Sequence, residues 1–228
     1  MTRKFGFGLT LALVVLSSAS HALTIVQWNF NGKTTDPNIG SGTFSLIGGV
    51  EPYNAAGENG FVSQSGSSDP NSGYAYNTTT YPQADMNNAT AGIKLMMSTV
   101  GYKDLVFTFD TRHSTTSSKW VRVDYTLNGV DFQPGKTFGY TVSTFVNGET
   151  FDLSSIAGAN NNPNFGIRIV TVFDPTAGKY VGVSATYATT GTIRYDMLTL
   201  SGQAVPEPAS LIALGVGAVG LLARRRRK

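Results

Sequence analysis

The 228-residue chain contains no cysteine and only two histidines, His21 and His113. Without cysteine it can form no disulfide, thiolate nucleophile, thiolate metal site or lipid-modified cysteine. One or two histidines cannot supply the usual zinc site, which draws its ligands largely from His and Cys. Charge is also scarce, with Asp, Glu, Lys and Arg making up 14% of the residues. No G-x-S-x-G elbow occurs. Asp69, Asn71 and Gly73 share the opening spacing of an EF-hand loop, but no glutamate closes it. A repeat of fixed period is likewise absent. These exclusions leave carboxylate chemistry, because glycoside hydrolysis needs only two acidic groups. Asp110, Asp124 and Asp196 fall on strand-like patterns and carry that alternative. The polar face of an antiparallel sheet supplies such residues routinely, so a non-catalytic module is the leading reading.

Both ends of the chain carry strong signals. Arg3 and Lys4 precede an apolar stretch from Phe5 to Leu16, and small residues follow up to Ser20-His21-Ala22. This is the pattern of a Sec signal peptide, with cleavage expected between Ala22 and Leu23. At the other end Pro206-Glu207-Pro208 is followed by an uncharged apolar run, Ala209 to Ala223, and then by Arg224, Arg225, Arg226, Arg227 and Lys228. As a helix the 15-residue run would span about 22 Å, somewhat short of a bilayer core of about 30 Å. Pro208 suits a first helical position, and arginine stems can snorkel to cover part of the deficit. The terminal cations would stay cytoplasmic and leave everything before Pro206 outside. Gly215, Gly217 and Gly220 match G-x-G-x-x-G, but no strand, crossover or acidic partner accompanies them, so a dinucleotide site is excluded.

Both ends also distort the apparent charge. Of 17 lysines and arginines, two belong to the leader and five to the terminal cluster, which leaves ten. Of 14 acidic residues only Glu207 lies outside residues 23–205, which leaves 13 and a net charge of about −3. The basic balance of the whole precursor therefore belongs to targeting and does not indicate nucleic-acid binding.

Between the ends, strand signals dominate. Thr24–Phe30 is β-branched and aromatic, and Leu105, Phe107 and Phe109 alternate with Val106, Thr108 and Asp110. Val121, Val123, Tyr125 and Leu127 alternate with Arg122, Asp124 and Thr126 and end at Asn128-Gly129, a hairpin turn pair. Phe165–Phe173 and Thr192–Leu200 read as further strands, with weaker ones near Thr43–Ile47, Ile93–Met97, Phe138–Thr144 and Glu149–Leu153. The stretch Ala55–Tyr81 reads as a long loop with at most one short strand. Many strands without a convincing helix predict an all-β sandwich. The expected organisation is a signal peptide at 1–22, a β-sandwich at 23–203 and a tail at 204–228. Within the tail the motif occupies 205–208, a transmembrane helix 208–223 and the basic end 224–228. Exposed aromatic residues are the usual platforms for sugars. Tyr74, Tyr76 and Tyr81, in the Asn/Ser/Gly-rich stretch, are the candidates, whereas Trp28 and Trp120 are expected to pack in the core.

The order Pro-Glu-Pro, short apolar helix and arginine-rich end resembles the PEP-CTERM sorting signal of Gram-negative bacteria. That resemblance implies recognition of Pro206, Glu207 and Pro208 by an exosortase, a membrane-embedded cysteine transpeptidase, with cleavage at or near the motif. The chain would then be the substrate in that reaction. Its implied partners are the Sec translocon, signal peptidase, the exosortase and, transiently, the membrane. Its implied destination is the cell surface or an exopolysaccharide matrix. The stretches Phe107–Ser114, Trp120–Phe132, Asn161–Pro175 and Gly191–Gly202 are similar to the jelly-roll, galactose-binding-like ectodomains found on many such proteins. That second resemblance implies a structural or carbohydrate-binding module. It also implies a structural calcium between terminal strands, for which Asn31 and Asp196 are the expected ligands.

Overall fold

The computed structural model describes residues 22–205 except 56, 58 and 72. The signal peptide up to His21, the Pro206–Pro208 motif, the membrane helix and the basic end lie outside the described residues. Among the described residues, no helix is long and apolar enough to cross a membrane. Their helical content is a single 3-10 turn at Ala157–Ala159.

Among the described residues, twelve strands build two antiparallel sheets. The first sheet contains β1 (Leu23–Trp28), β3 (Glu51–Pro52), β4 (Phe61–Ser63), β5 (Tyr74–Thr79), β7 (Tyr102–His113), β10 (Phe145–Asp152) and β12 (Ile193–Ala204). Its path runs β10-β7-β12-β5-β3, with β1 also on β12 and β4 also on β5. The second contains β2 (Gly42–Ile47), β6 (Gly92–Met97), β8 (Trp120–Thr126), β9 (Phe132–Gly139) and β11 (Gly166–Thr171), in the order β2-β6-β11-β8-β9. β12 organises the first sheet. One of its edges pairs with β7 throughout, while the other is shared between β5 at Ile193–Tyr195 and β1 from Leu198 onward. Leu23 faces Gly202, so the two ends of the domain leave from the same end of the same strand pair.

Alternation explains how the sheets stack. Ile93, Leu95 and Met97, Val121 and Val123, and Ile167 and Ile169 enter the shared core, joined from the first sheet by Phe107, Phe109, Tyr195, Leu198 and Leu200. Trp28, Phe30 and Phe165 are also buried there. Each large apolar side chain withdrawn from water contributes about 1.5–3 kcal/mol. In a chain without disulfides, that burial is what offsets conformational entropy.

The expected sandwich is present, with two local corrections. The stretch Ala55–Tyr81 holds two strands, β4 and β5. Residues Ala75 to Thr78 of β5 are buried on both faces, so no alternation betrays that strand. The expected strand at Phe138–Thr144 falls largely outside a strand: its first two residues end β9, the Tyr140 N–H adds one more bond to the Lys119 carbonyl, and the chain then leaves the sheet until β10 begins at Phe145.

Candidate functional site

The outer face of the first sheet carries a set of carboxylates sheltered by a loop. Asp110 on β7 lies directly across from Asp196 on β12. The loop between Ser63 and Gly73 covers them. Ser67 Oγ and the Ser68 N–H donate to Asp110 Oδ2 at 2.9 and 2.6 Å, and the Gly148 N–H donates to Oδ1 at 2.8 Å. Asp196 is fully buried. Its Oδ1 accepts the Met197 N–H at 2.8 Å, whereas Oδ2 has no partner. A bulge shapes this spot: the register slips between Asp196 and Thr199, and Met197 takes a φ of +47°. Burial, with the nearby charges of Asp69 and Asp110 adding to it, pushes the Asp196 carboxyl up to about 7.

Asn31 and Asp196 do not form a pair of cation ligands. The Asn31 carboxamide is committed elsewhere, since Oδ1 accepts the Tyr74 N–H at 3.0 Å and Nδ2 donates to Asp69 Oδ2 at 2.7 Å. It therefore anchors the loop. Gly73 makes this possible, because a Cβ there would meet Asn31 Oδ1 at 1.5 Å. Among the described residues, no three His, Cys, Asp or Glu groups converge tightly enough to hold an ion. Of the two expected ligands, only Asp196 offers an oxygen to a cation, through its orphaned Oδ2. An all-oxygen surrounding of this kind suits calcium and not zinc.

The predicted aromatic platform is largely internal. Tyr76 is 5% exposed and packs edge-on against Phe44 and Phe61, while Tyr81 is 3% exposed with its hydroxyl 2.6 Å from Thr78 Oγ1. Tyr74 is half-buried beside the core, and the Lys33 ammonium lies 4.5 Å above its ring. Two of the three tyrosines are thus core residues of, and just beyond, β5. Trp28 is buried as expected, donating to the Thr35 carbonyl, but Trp120 is only half-buried and lies on the outer side of the second sheet.

The candidates for acid–base chemistry are internal as well. Asp110, Asp124 and Asp196 are at most 1% exposed. His113 is buried, donates from Nδ1 to the Ser118 carbonyl at 2.9 Å, and stacks on Tyr140 with the ring centroids 4.1 Å apart. Burial pushes its imidazole down to about 4. None of these groups is placed to touch a polysaccharide at the surface.

The outer face of the second sheet holds a set that reading single segments did not bring together. Side chains alternating with the core residues are Lys94 on β6, Arg168 on β11, Trp120, Arg122 and Asp124 on β8, and Phe132 and Thr137 on β9. Register places Lys94 across from Arg168, Arg168 across from Asp124, and Arg122 across from Thr137. The Asp124 carboxylate, fully buried, is clamped by both guanidinium groups. Arg168 Nε and Nη2 donate to Oδ2 at 3.0 and 2.9 Å, and Arg122 donates to both oxygens from its Nε and Nη2. Each arginine side chain is 22% exposed and keeps Nη1 out of the clamp. Arg168 also lies 4.8 Å above the Phe132 ring. Trp120 rests over Gly139, where a Cβ would come within 2.5 Å of the indole, and its Nε1 donates to Asp174 at 2.9 Å. The alternation of Trp120-Val121-Arg122-Val123-Asp124 announces this face. The pairing with Arg168, 44 positions away, depends on register.

Residues 204–228 match the PEP-CTERM protein-sorting motif. No curated protein matches the chain in sequence. In fold it is similar to the CBM22-1–GH10 modules of the N-terminal endo-1,4-β-D-xylanase 10B of Clostridium thermocellum, solved with xylohexaose. That likeness has 11% identity and a TM-score of 0.42, and covers 78% of this chain but 28% of the xylanase chain. The N-terminal cellulose-binding domain of Cellulomonas fimi β-1,4-glucanase C is similar at 15% identity and a TM-score of 0.32, over 71% of this chain and 99% of that one. Both likenesses concern the course of the strands and extend to no particular side chain.

Proposed function

We propose that this chain, which carries a PEP-CTERM sorting motif on a β-sandwich, is an exported protein cut by an exosortase near Pro206–Pro208. The match over residues 204–228 carries this reading. The leader up to Ala22 directs it to the Sec translocon and signal peptidase, and β1 begins at the next residue, Leu23. The membrane holds the precursor only until the tail is cut. The test is mass spectrometry of the mature C-terminus in hosts with and without their exosortase. Loss of Arg224–Lys228 only in the first host is the expected result, and a full-length tail in both would refute it.

At its destination, the cell surface or an exopolysaccharide matrix, the sandwich serves as a non-catalytic module that binds carbohydrate. Support comes from the burial of Asp110, Asp124 and Asp196, which keeps them from acting as a surface acid–base pair. A surface of one sheet with preset polar groups and half-open aromatic rings suits a sugar polymer better than a reaction. Screening the protein against polysaccharides tests both points, because release of reducing ends would overturn the non-catalytic reading. A calcium ion is a further proposal. The residue that would hold it is Asp196, with Asp69 and Asp110 nearby to supply negative charge, and Asn31 would steady Asp69 from behind. The ion would brace the covering loop and take no part in chemistry.

A further inference from the structure

We infer that the outer face of the second sheet binds an acidic polysaccharide bearing carboxylate groups, through Lys94, Arg122 and Arg168. The inference rests on the carbohydrate-binding reading above and names the ligand class and the site. Lys94, Arg122 and Arg168 share the middle of this face with one carboxylate, Asp124, and Asp174 lies at its end on the Trp120 indole, although the domain as a whole carries about −3. That carboxylate, Asp124, is fully buried beneath its two arginines and offers nothing to a ligand. It fixes the arginine forks through Nε and Nη2 instead, so each partly exposed guanidinium keeps Nη1 out of the clamp with little freedom left to lose. Phe132 supports Arg168 from the side. Lys94 lies across from Arg168 with no carboxylate in ion-pair range among the described residues. Trp120 and Phe132 stand at opposite ends of the β8–β9 pair, with Phe132 across from Thr126 and Trp120 across from Gly139. Six residue steps along a strand separate them by about 20 Å. Rings at both ends with cations between fit an extended chain of sugars that carries intermittent negative charge. A polyanion of high charge density, such as a nucleic acid, would meet the net repulsion of the domain over most of its surface.

The test measures binding of the full-length protein, in nonionic detergent and with the five terminal cations changed to glutamine so that the tail cannot contribute. The probes are polygalacturonate, alginate, neutral xylan, duplex DNA and anionic phospholipid vesicles. Two variants probe the face while keeping Asp124 and both clamp arginines in place. Lys94→Gln removes an unpaired cation, and Thr137→Glu sets a carboxylate beside Arg122. Binding to the uronate polymers is expected, weakened about threefold by Lys94→Gln and about tenfold by Thr137→Glu, and reduced by added salt. Thermal unfolding of both variants should match the parent, which separates lost binding from lost fold. Binding to neutral xylan alone, or uronate binding untouched by both variants, would overturn the inference and leave the carbohydrate reading standing. Binding to no glycan would overturn both. Equal or tighter binding of DNA or vesicles would overturn the choice of an acidic glycan.

Discussion

Asp196→Asn should stabilise the protein at alkaline pH and leave it unchanged in acid. The carboxyl sits at about 7 in the folded protein against 3.8 when unhindered. Its folded value is raised, so the folded state binds the extra proton between those limits. Stability that is fully present below 3.8 is lost as pH rises through 7. At about 1.4 kcal/mol per pH unit, the loss comes to about 4 kcal/mol. Asparagine keeps an oxygen for the Met197 N–H and offers an amide where Oδ2 is orphaned, near two carboxylates. The parent profile alone would mislead, because His113 titrates in the opposite sense across much of the same window. Its folded value of about 4 lies below the ordinary 6.5, so stability present above 6.5 falls as pH drops toward 4. The informative quantity is the difference between Asp196→Asn and parent in urea unfolding, followed by circular dichroism with a chelator. That difference should grow by about 4 kcal/mol between pH 4 and pH 8. A difference that stays constant across that range would refute the reasoning. Calcium provides the second arm. If the proposed ion binds, added calcium at pH 7.5 should recover most of the loss in the parent and do nothing for Asp196→Asn. No recovery in the parent would sink the calcium proposal alone.

Three further outcomes follow from the geometry. The His113 imidazole should show no protonation by NMR down to about pH 5, and a midpoint near 6.5 would mean that it is not buried against Tyr140. Asp124→Ala leaves two partly wetted arginines facing one another across β8 and β11. It should cost about 2–3 kcal/mol in chemical unfolding, below the full penalty for breaking a buried pair because both arginines still reach water. Gly139→Ala should push the Trp120 ring off β9 and break its bond to Asp174. Tryptophan fluorescence should shift while the core Trp28 is unaffected, and an unchanged spectrum would contradict the close approach.

The strands that could be read in the sequence are those with one wet and one dry face. β8 shows it best: Val121 and Val123 are buried, and Arg122 between them is not. β5 hides because Asn77 and Thr78 are as buried as Ala75 and Tyr76 beside them. Their donors find internal partners, Asn77 Nδ2 in the Tyr53 carbonyl and Thr78 Oγ1 in the Ile193 carbonyl. That burial also defeats the tyrosine platform, since composition marked the segment as a loop when it is a central strand. Asp196 could be singled out as a polar residue on a terminal strand. Its companions Asp69 and Asp110 lie far away in sequence and meet it only through loop closure and register. Asn31 offers no signal in its own segment for the bonds it makes to Asp69 and Tyr74, which lie 38 and 43 positions away and hold the loop.

The two outer faces of this domain cover their buried carboxylates in different ways, and that difference bears on how a ligand would approach. On the first sheet, Asp110 and Asp196 are covered by a loop whose N–H and O–H donors answer the Asp110 carboxylate. On the second, the Asp124 carboxylate is covered by the arginines themselves, whose side chains stay 22% exposed. Both faces bury acid, but the first also carries Arg112 and Arg194 across from one another with their donors tied to the Ser143 and Ser63 carbonyls, whereas on the second the guanidinium groups themselves cover the acid. A polyanion is therefore attracted over one sheet and repelled by the net charge elsewhere, so affinity and orientation come from the same three side chains. Salt should then act unevenly. It weakens the local attraction but also screens the general repulsion, so the slope of affinity against ionic strength should be shallower than three cations alone would produce. A steep slope would place the binding cations elsewhere on the molecule.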